Sequence, residues 1–187
     1  MEQGYHTPVL LEESVGLLSV DPAGTYVDLT FGGGGHSRRI LSLLGPEGRL
    51  YGFDQDRDTL ANRPDDGRFH YVESNFRFLR AALRLRGVAQ VDGILADLGV
   101  SSHHFDAVER GFSFRGTALL DMRMNRRGGR TAADVVNTYD RDALTRVLGD
   151  WGELSTPWKV AGCIERARAA APITTTDALV AAVAPCT

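Results

Sequence analysis

The chain has 187 residues, of which 43% are hydrophobic, so it can bury a core and suits one domain with an appendage. Its formal net charge of −3 argues against binding nucleic acid through bulk charge alone, so any such binding must be local. The N-terminal segment lacks the basic and apolar regions of a signal peptide, and no run of about 18 apolar residues predicts a membrane span. These features together predict a cytoplasmic protein.

The chain has only two cysteines, Cys163 and Cys186, which do not form a CxxC motif. No histidine stands near them at the spacing of metal ligands. We interpret both as ordinary thiols, and we predict neither a disulfide framework nor a metal site.

The first hundred residues alternate strand-like and helix-like segments, which predicts an α/β domain with a parallel sheet. Thr7 is a candidate N-cap, and Pro8 suits the first position of a helix because its missing N–H costs nothing there. Strands are predicted at 25–30, 48–56, 68–74 and from residue 91; helices are predicted at 36–45 and 75–87.

The pattern changes after Ser102. Residues 103–130 are rich in glycine and arginine without a clean period, which indicates a long functional or mobile loop. From Thr131 onward the pattern is helical, with threonine or aspartate at the N-cap positions. No strand is predicted after Leu98. We therefore predict an α/β domain over 1–104 and a helical domain over 105–187.

Four consecutive glycines, Gly32 to Gly35, lie between the first strand and the following helix. Such a turn lets a ligand approach the backbone, and the helix N-terminus offers unpaired N–H groups to it. The GxGxxG pattern of dinucleotide enzymes is incomplete, because Arg38 stands where the third glycine would be. A tight turn without a ligand remains the alternative at this point.

Carboxylates follow the strands at the edge where open α/β sheets bind ligands. Asp54 ends the second strand about 20 residues after the glycines, where it could accept hydrogen bonds from a ribose. Asp56 could replace it, although a helix N-cap suits Asp56 better. Asp28 could hold a ligand amine or the loop itself. Asp97 ends the fourth strand, as expected of a residue that acts on substrate or cofactor; a turn stabilised by its side chain is the alternative.

Three histidines, His36, His103 and His104, are candidate bases, but a histidine at a helix start is more often an exposed polar residue. No nucleophile motif accompanies them, which excludes the common hydrolase classes. The segment 110–130 holds six arginines with Phe112 and Phe114 among them. This composition could stack bases and contact phosphates, or it could be core phenylalanines beside a solvated face.

At this point the sequence strongly resembles the bacterial 16S rRNA cytosine-N(4) methyltransferases, the family called RsmH or MraW. The resemblance runs along essentially the whole chain. The motifs that carry it are HTPVLLEESV, YVDLTFGGGGHS, GFDQD, NF, VDGILADLGVSS, ERGFSFR, LDMRMN and TAADVVN.

The resemblance implies a Rossmann-like class I methyltransferase domain that binds S-adenosylmethionine, with an α-helical substrate-recognition insert after the fourth strand. The residues that it implies for the cofactor are Gly34, Gly35, His36, Asp54, Phe76, Asp97 and His104. His104 stands where the family most often has glutamine, and an imidazole cannot donate and accept together as an amide can.

The implied reaction methylates the exocyclic N4 of a cytidine in the decoding region of 16S rRNA, within the small ribosomal subunit. The enzyme must place the amine in line with the methyl group and accept hydrogen bonds from its N–H groups. We expect Asp97 to do this, with Ser101 and Ser102 as helpers. The residues expected to receive the flipped-out RNA are Arg110, Phe112, Phe114 and Arg123.

Family members are longer than this chain, which ends inside the helical insert. We therefore expect an incomplete parallel sheet, whether the chain is a fragment or a truncated product. Two alternatives stay open: a non-catalytic remnant that binds cofactor and RNA, and an NAD-dependent oxidoreductase that uses the same glycines and Asp54.

Overall fold

The computed structural model describes residues 8–100 and 102–186, without the side chains of residues 102 and 103. The chain forms two compact units, Met1–Val100 and Ser101–Thr187. The boundary predicted from sequence lies at residue 104. No helix within the described ranges is both long enough and apolar enough to cross a membrane.

The first unit contains one four-stranded parallel sheet. Its strands are β1 (Thr25–Asp28), β2 (Arg49–Asp54), β3 (Phe69–Glu73) and β4 (Gly93–Leu95). Their order in the sheet is β3-β2-β1-β4, and every neighbouring pair is parallel. The predicted α/β fold with a parallel sheet is thereby confirmed. All four carboxyl ends lie at one edge, which positions the residues after each strand as neighbours.

Both faces of this sheet carry buried apolar side chains. Alternate residues of a strand point to opposite sides, so each strand contributes to both faces. On one face, Tyr26 and Leu50 pack with Val15, Ile40 and other buried side chains. On the other face lies a second cluster; its buried members are Val27, Tyr51, Phe53, Val72, Ala82 and Leu83.

Helices cover these two faces. The helices are α1 (Leu11–Leu17), α2 (Gly35–Leu43) and α3 (Leu79–Arg84), together with 3-10 helices at Arg57–Asn62 and Phe76–Phe78. Arg39 of α2 forms an ion pair with Glu12 of α1 at 2.8 Å. The predicted start of α1 is wrong: the helix begins at Leu11 with Leu10 as its N-cap in a left-handed conformation, so Pro8 precedes the helix. Thr7 lies outside the described residues.

The second unit is helical in its described part. Its helices are α4 (Ser102–Asp106), α5 (Ala132–Thr138), α6 (Arg141–Asp150), α7 (Pro157–Ala170) and α8 (Thr176–Val183), with 3-10 helices at Val108–Arg110 and Ala184–Cys186. Thr131, Asp140 and Thr175 accept N-cap hydrogen bonds, as predicted. Leu144 and Ile164 lie in a separate apolar core that α5 to α8 share.

Two expectations for this unit are wrong. Residues 103–130 are not without structure, because α4 and the 3-10 helix Val108–Arg110 occupy their first part. Cys163 and Cys186 are not free thiols but form a disulfide that joins α7 to the turn at Ala184–Cys186. The pairing has no local sequence signal, because the two cysteines meet only through the packing of α7, α8 and that turn.

Candidate functional site

The glycine loop between β1 and α2 requires glycine at defined positions. Gly32 and Gly34 have φ of +49° and +76°, a backbone region that residues other than glycine rarely adopt. A Cβ on Gly34 would lie 2.9 Å from the Phe31 ring, and a Cβ on Gly35 would collide with Pro8. The chain therefore passes through a space where only bare backbone fits.

Polar side chains hold this loop from both sides. Asp54 accepts the N–H of Gly32 at 2.8 Å, and the Asn62 amide donates to the Gly32 carbonyl at 2.9 Å. Arg38 donates to the carbonyls of Gly33 and Asn62 at 2.7 and 2.9 Å. In the sequence, Arg38 stands where the GxGxxG pattern has its third glycine, and nothing there indicates a hydrogen-bonding role. In the structure it fastens the loop to the 3-10 helix that follows β2.

Asp28 is the anchor below the loop. It is 1% exposed and accepts hydrogen bonds from the Ser37 hydroxyl at 2.7 Å and from the Thr30 N–H at 3.0 Å. Of the two roles left open for Asp28, its contacts are those of a carboxylate that holds the loop. Burial raises the pKa of Asp28, which the Ser37 hydrogen bond opposes.

The other ligand-edge residues of the first unit follow β2 and β3. Besides the glycine loop, Asp54 binds the N–H of Asp56 at 2.8 Å. Asp56 accepts the N–H of Asp58 as the N-cap of the helix Arg57–Asn62, which confirms its interpretation as a cap. Phe76 stands at the start of its 3-10 helix with 41% of its surface exposed, so its ring is accessible for stacking.

Asp97 lies just beyond β4, and its main chain is fixed. Its N–H donates to the Thr30 hydroxyl at 2.8 Å, and the neighbouring Leu29 N–H donates to the Leu95 carbonyl at 2.9 Å. Within the described residues the carboxylate makes no hydrogen bond and is exposed. Asp97 thus presents an available acceptor at a defined position, a role that Thr30 supports and that the sequence did not reveal.

A small cavity of about 140 Å³ is lined by His36, the residue that follows the glycine loop, and by Asp97. Its lining residues are Val9, Leu10, Ser14, His36, Leu95, Ala96 and Asp97. His36 is 6% exposed, and its Nε2 has no hydrogen-bond partner among the residues that the structure describes. A buried polar atom without a partner is costly and suggests that a ligand satisfies it. His36 is therefore not the exposed polar residue that a helix start usually carries.

The remaining candidates belong to the second unit. His104 is buried and its ring meets Phe112 edge-on at 5.0 Å between centroids. Phe114 is 80% exposed, which leaves its ring accessible. Ser101 lies outside the described residues, and Ser102 begins α4 without a described side chain.

The two candidate arginines of this unit both have internal partners. Arg110 is 2% exposed, and its Nη2 donates to the carbonyls of Arg123 and Met124 at 3.1 and 3.2 Å. This buried guanidinium therefore joins the 3-10 helix Val108–Arg110 to the main chain at Arg123 and Met124. Arg123 pairs with Asp121 at 2.7 Å, and this partner lowers the pKa of the Asp121 carboxyl.

The first unit has a Rossmann-like α/β fold: its parallel sheet has the order β3-β2-β1-β4, a glycine loop opens α2 and a carboxylate ends β2. Residues 3–187 match the MraW methylase family. The chain belongs to that family.

Curated relatives are similar over most of this chain. It is 58% identical over 174 residues to a protein of Bacteroides fragilis and 54% identical over 175 residues to one of Flavobacterium johnsoniae. Each is named "Ribosomal RNA small subunit methyltransferase H". The alignments cover 93% and 94% of this chain but 57% and 58% of the relatives. The chain thus spans less than two thirds of their length.

Proposed function

We propose that this chain carries the cofactor-binding part of an S-adenosylmethionine-dependent methyltransferase that acts on the N4 of a cytidine in 16S rRNA of the small ribosomal subunit. The observation that carries the proposal is the cavity lined by His36, whose Nε2 has no hydrogen-bond partner among the described residues, and by the exposed Asp97. Family membership and the relatives' name support the reaction class and the RNA substrate.

The residues present fit the cofactor. The loop at Gly34 and Gly35 would admit a ligand against the backbone, and His36 would donate or accept one hydrogen bond beside it. Asp54 has two oxygens that already hold two N–H groups, and a carboxylate has about four acceptor positions, so a ribose could add to these bonds. Phe76 offers a ring for the adenine, and His104 remains a proposed cofactor contact.

The chain's own contribution to the chemistry is positional. S-adenosylmethionine would supply a methyl group on a sulfonium, which is a strong electrophile. A cytosine amine is a weak nucleophile, so Asp97 would accept a hydrogen bond from one amine N–H and favour loss of that proton. Ser101 and Ser102 remain proposed helpers in this step. Phe112, Phe114 and Arg123 would receive the RNA, and Phe114 is the most exposed of these three. Arg110 would take part through its buried guanidinium, which holds the main chain at Arg123.

The proposal is tested by measuring cofactor binding to the variant His36→Ala, with His70→Ala as the matched control. His70 is an exposed histidine of the same unit that stacks on Tyr51 at 4.9 Å. Titration calorimetry with S-adenosylhomocysteine is expected to show about tenfold weaker binding for His36→Ala, the cost of one buried hydrogen bond, and unchanged binding for His70→Ala. Tight binding of NAD without binding of S-adenosylhomocysteine would overturn the proposal in favour of an oxidoreductase.

Catalysis is tested by incubating the chain with undermethylated small ribosomal subunits and labelled S-adenosylmethionine. Asp97→Asn is expected to lower transfer about 100-fold, a typical contribution of a positioned acid or base, and to weaken cofactor binding far less. Unchanged transfer by this variant would remove Asp97 from the catalytic role. Binding of the RNA without any label in it would indicate a non-catalytic protein.

A further inference from the structure

The second unit has a cavity of about 550 Å³ that the proposed function does not use. It lies where the starts of α6 and α7 meet the C-terminal turn. Its lining residues are Arg141, Thr156, Trp158, Lys159, Arg166, Pro185 and Cys186.

The charge of this cavity is of one sign. Among the residues that the structure describes, three cationic side chains line it and no carboxylate does. Arg141, Lys159 and Arg166 form no ion pair with any acid in the part of the chain that the structure describes. The hydrogen bonds of the two arginines are to the Trp158 carbonyl at 3.5 Å and to the disulfide sulfurs, of which Cys163 Sγ is 2.9 Å from Arg166.

Two of these cations lie together. A Cβ built on Gly162 would be 3.1 Å from Nη2 of Arg141 and 3.4 Å from Nη1 of Arg166, so the two guanidinium groups are neighbours over that glycine. Two neighbouring guanidinium charges repel each other, and an anion bound between them would offset that repulsion. Guanidinium groups suit phosphate oxygens, to which they donate paired hydrogen bonds.

An aromatic ring and a helix N-terminus complete the cavity. Trp158 is 50% exposed, so its ring can receive a flat partner. The N-cap residue of α7, Thr156, makes no side-chain capping bond, which leaves the positive end of this 14-residue helix open to an anion. Phosphate groups joined to flat rings are the repeating unit of single-stranded nucleic acid.

We propose that this cavity binds a backbone phosphate of the RNA substrate through Arg141, Lys159 and Arg166, while Trp158 stacks on an adjacent base. The inference rests on the proposed function for the identity of the RNA and extends the RNA-binding residues beyond the segment 110–130. It explains how a chain of net charge −3 binds RNA, because the attraction is local.

Tryptophan fluorescence tests the stacking step. The chain has two tryptophans, so Trp151→Phe leaves Trp158 as the sole reporter. A short single-stranded RNA is expected to quench this signal, and Trp158→Leu is expected to weaken RNA binding at least about fivefold by anisotropy. Absence of quenching overturns the stacking. Inorganic phosphate is the comparison: if it displaces the RNA at equal concentration, the cavity is a site for free phosphate and the RNA assignment fails.

The charged side chains are tested with a matched control on the same helix. Arg141→Gln and Lys159→Gln are each expected to reduce the slope of log affinity against log salt by about 0.7, the value for one lost phosphate contact on a single strand. Arg146→Gln removes an exposed arginine of α6 that lies outside the cavity, and it is expected to leave the slope unchanged. Equal slopes for all three variants would overturn the site.

These measurements separate the inference from the proposed function. If S-adenosylhomocysteine binds and methyl groups are transferred but the cavity variants bind RNA as the wild-type chain does, the inference fails and the function stands. If the cavity variants lose RNA affinity but the wild-type chain transfers no methyl group, the site stands and the function fails.

Discussion

At the scale of single residues, Asp28 lowers the stability of the folded chain when its buried carboxyl group is ionised. Its carboxylate is buried below the glycine loop, and burial raises its pKa above the ordinary 3.8. The native state therefore holds the Asp28 proton more tightly than the unfolded chain does. Stability from this residue is fully present below pH 3.8 and is lost as the pH rises through the raised pKa, because a buried charge must then form.

Replacing Asp28 tests this dependence. Asp28→Asn cannot ionise, so we expect its free energy of unfolding relative to wild type to improve steadily as the pH rises from about 4. Urea unfolding across pH 4 to about 8 measures the difference. Ser37→Ala removes the hydrogen bond that opposes the rise in the Asp28 pKa, so that pKa should rise further. The pH range over which the variant loses stability should then extend to higher pH than in wild type. Parallel pH profiles for wild type and Asp28→Asn would contradict the assignment.

The sequence located the acids and glycines of the site but not the residues that hold them in place. Asp28 and Asp97 could be found because each ends a recognisable strand at the ligand edge. Arg38 and Thr30 could not, because their partners, the Gly33 carbonyl and the Asp97 N–H, are main-chain groups with no residue-type signal. The burial of Arg110 could not be predicted either, because composition does not reveal whether an arginine lies against carbonyl groups.

At the scale of secondary structure, local signals predicted the helices of the second unit well. Thr131 and Asp134 form a complete capping box, so a short sequence pattern fixes where α5 begins. The start of α1 could not be predicted in this way, since Leu10 takes a left-handed conformation that its sequence does not suggest. The disulfide was likewise hidden, because it depends on how α7 meets the turn at Ala184–Cys186.

Reduction of this disulfide is expected to destabilise the second unit. The bond closes a loop with a sequence separation of 23 residues, and loops of this size contribute about 2 to 4 kcal/mol by limiting the unfolded chain. Urea unfolding with and without reductant measures the effect. The double variant Cys163→Ser with Cys186→Ser is the control, which should resemble the reduced chain and ignore the reductant. An unfolding midpoint that reductant leaves unchanged in the wild-type chain would show that the bond contributes nothing.

At the scale of the whole molecule, the chain has separate apolar cores on either side of Val100. The first unit packs two clusters against the faces of its sheet, and the second unit packs one cluster among its helices. The sequence predicted this change in structure, since strand-like segments alternate with helices up to Leu98 and the pattern is helical from Thr131 onward. Each unit therefore has an independent source of stability.

Separate cores predict separate unfolding. Leu144 is 2% exposed in the core of the second unit, so Leu144→Ala is expected to cost about 2 to 5 kcal/mol there. Amide hydrogen exchange followed by mass spectrometry should show faster exchange in α6 and α7, while β1 and β2 stay protected and S-adenosylhomocysteine affinity is unchanged. Ile40→Ala, in the core of the first unit, is the matched variant. It should speed amide exchange in β1 and β2 while α6 and α7 stay protected. Equal loss of protection in both units for either variant would show that the chain unfolds as one body.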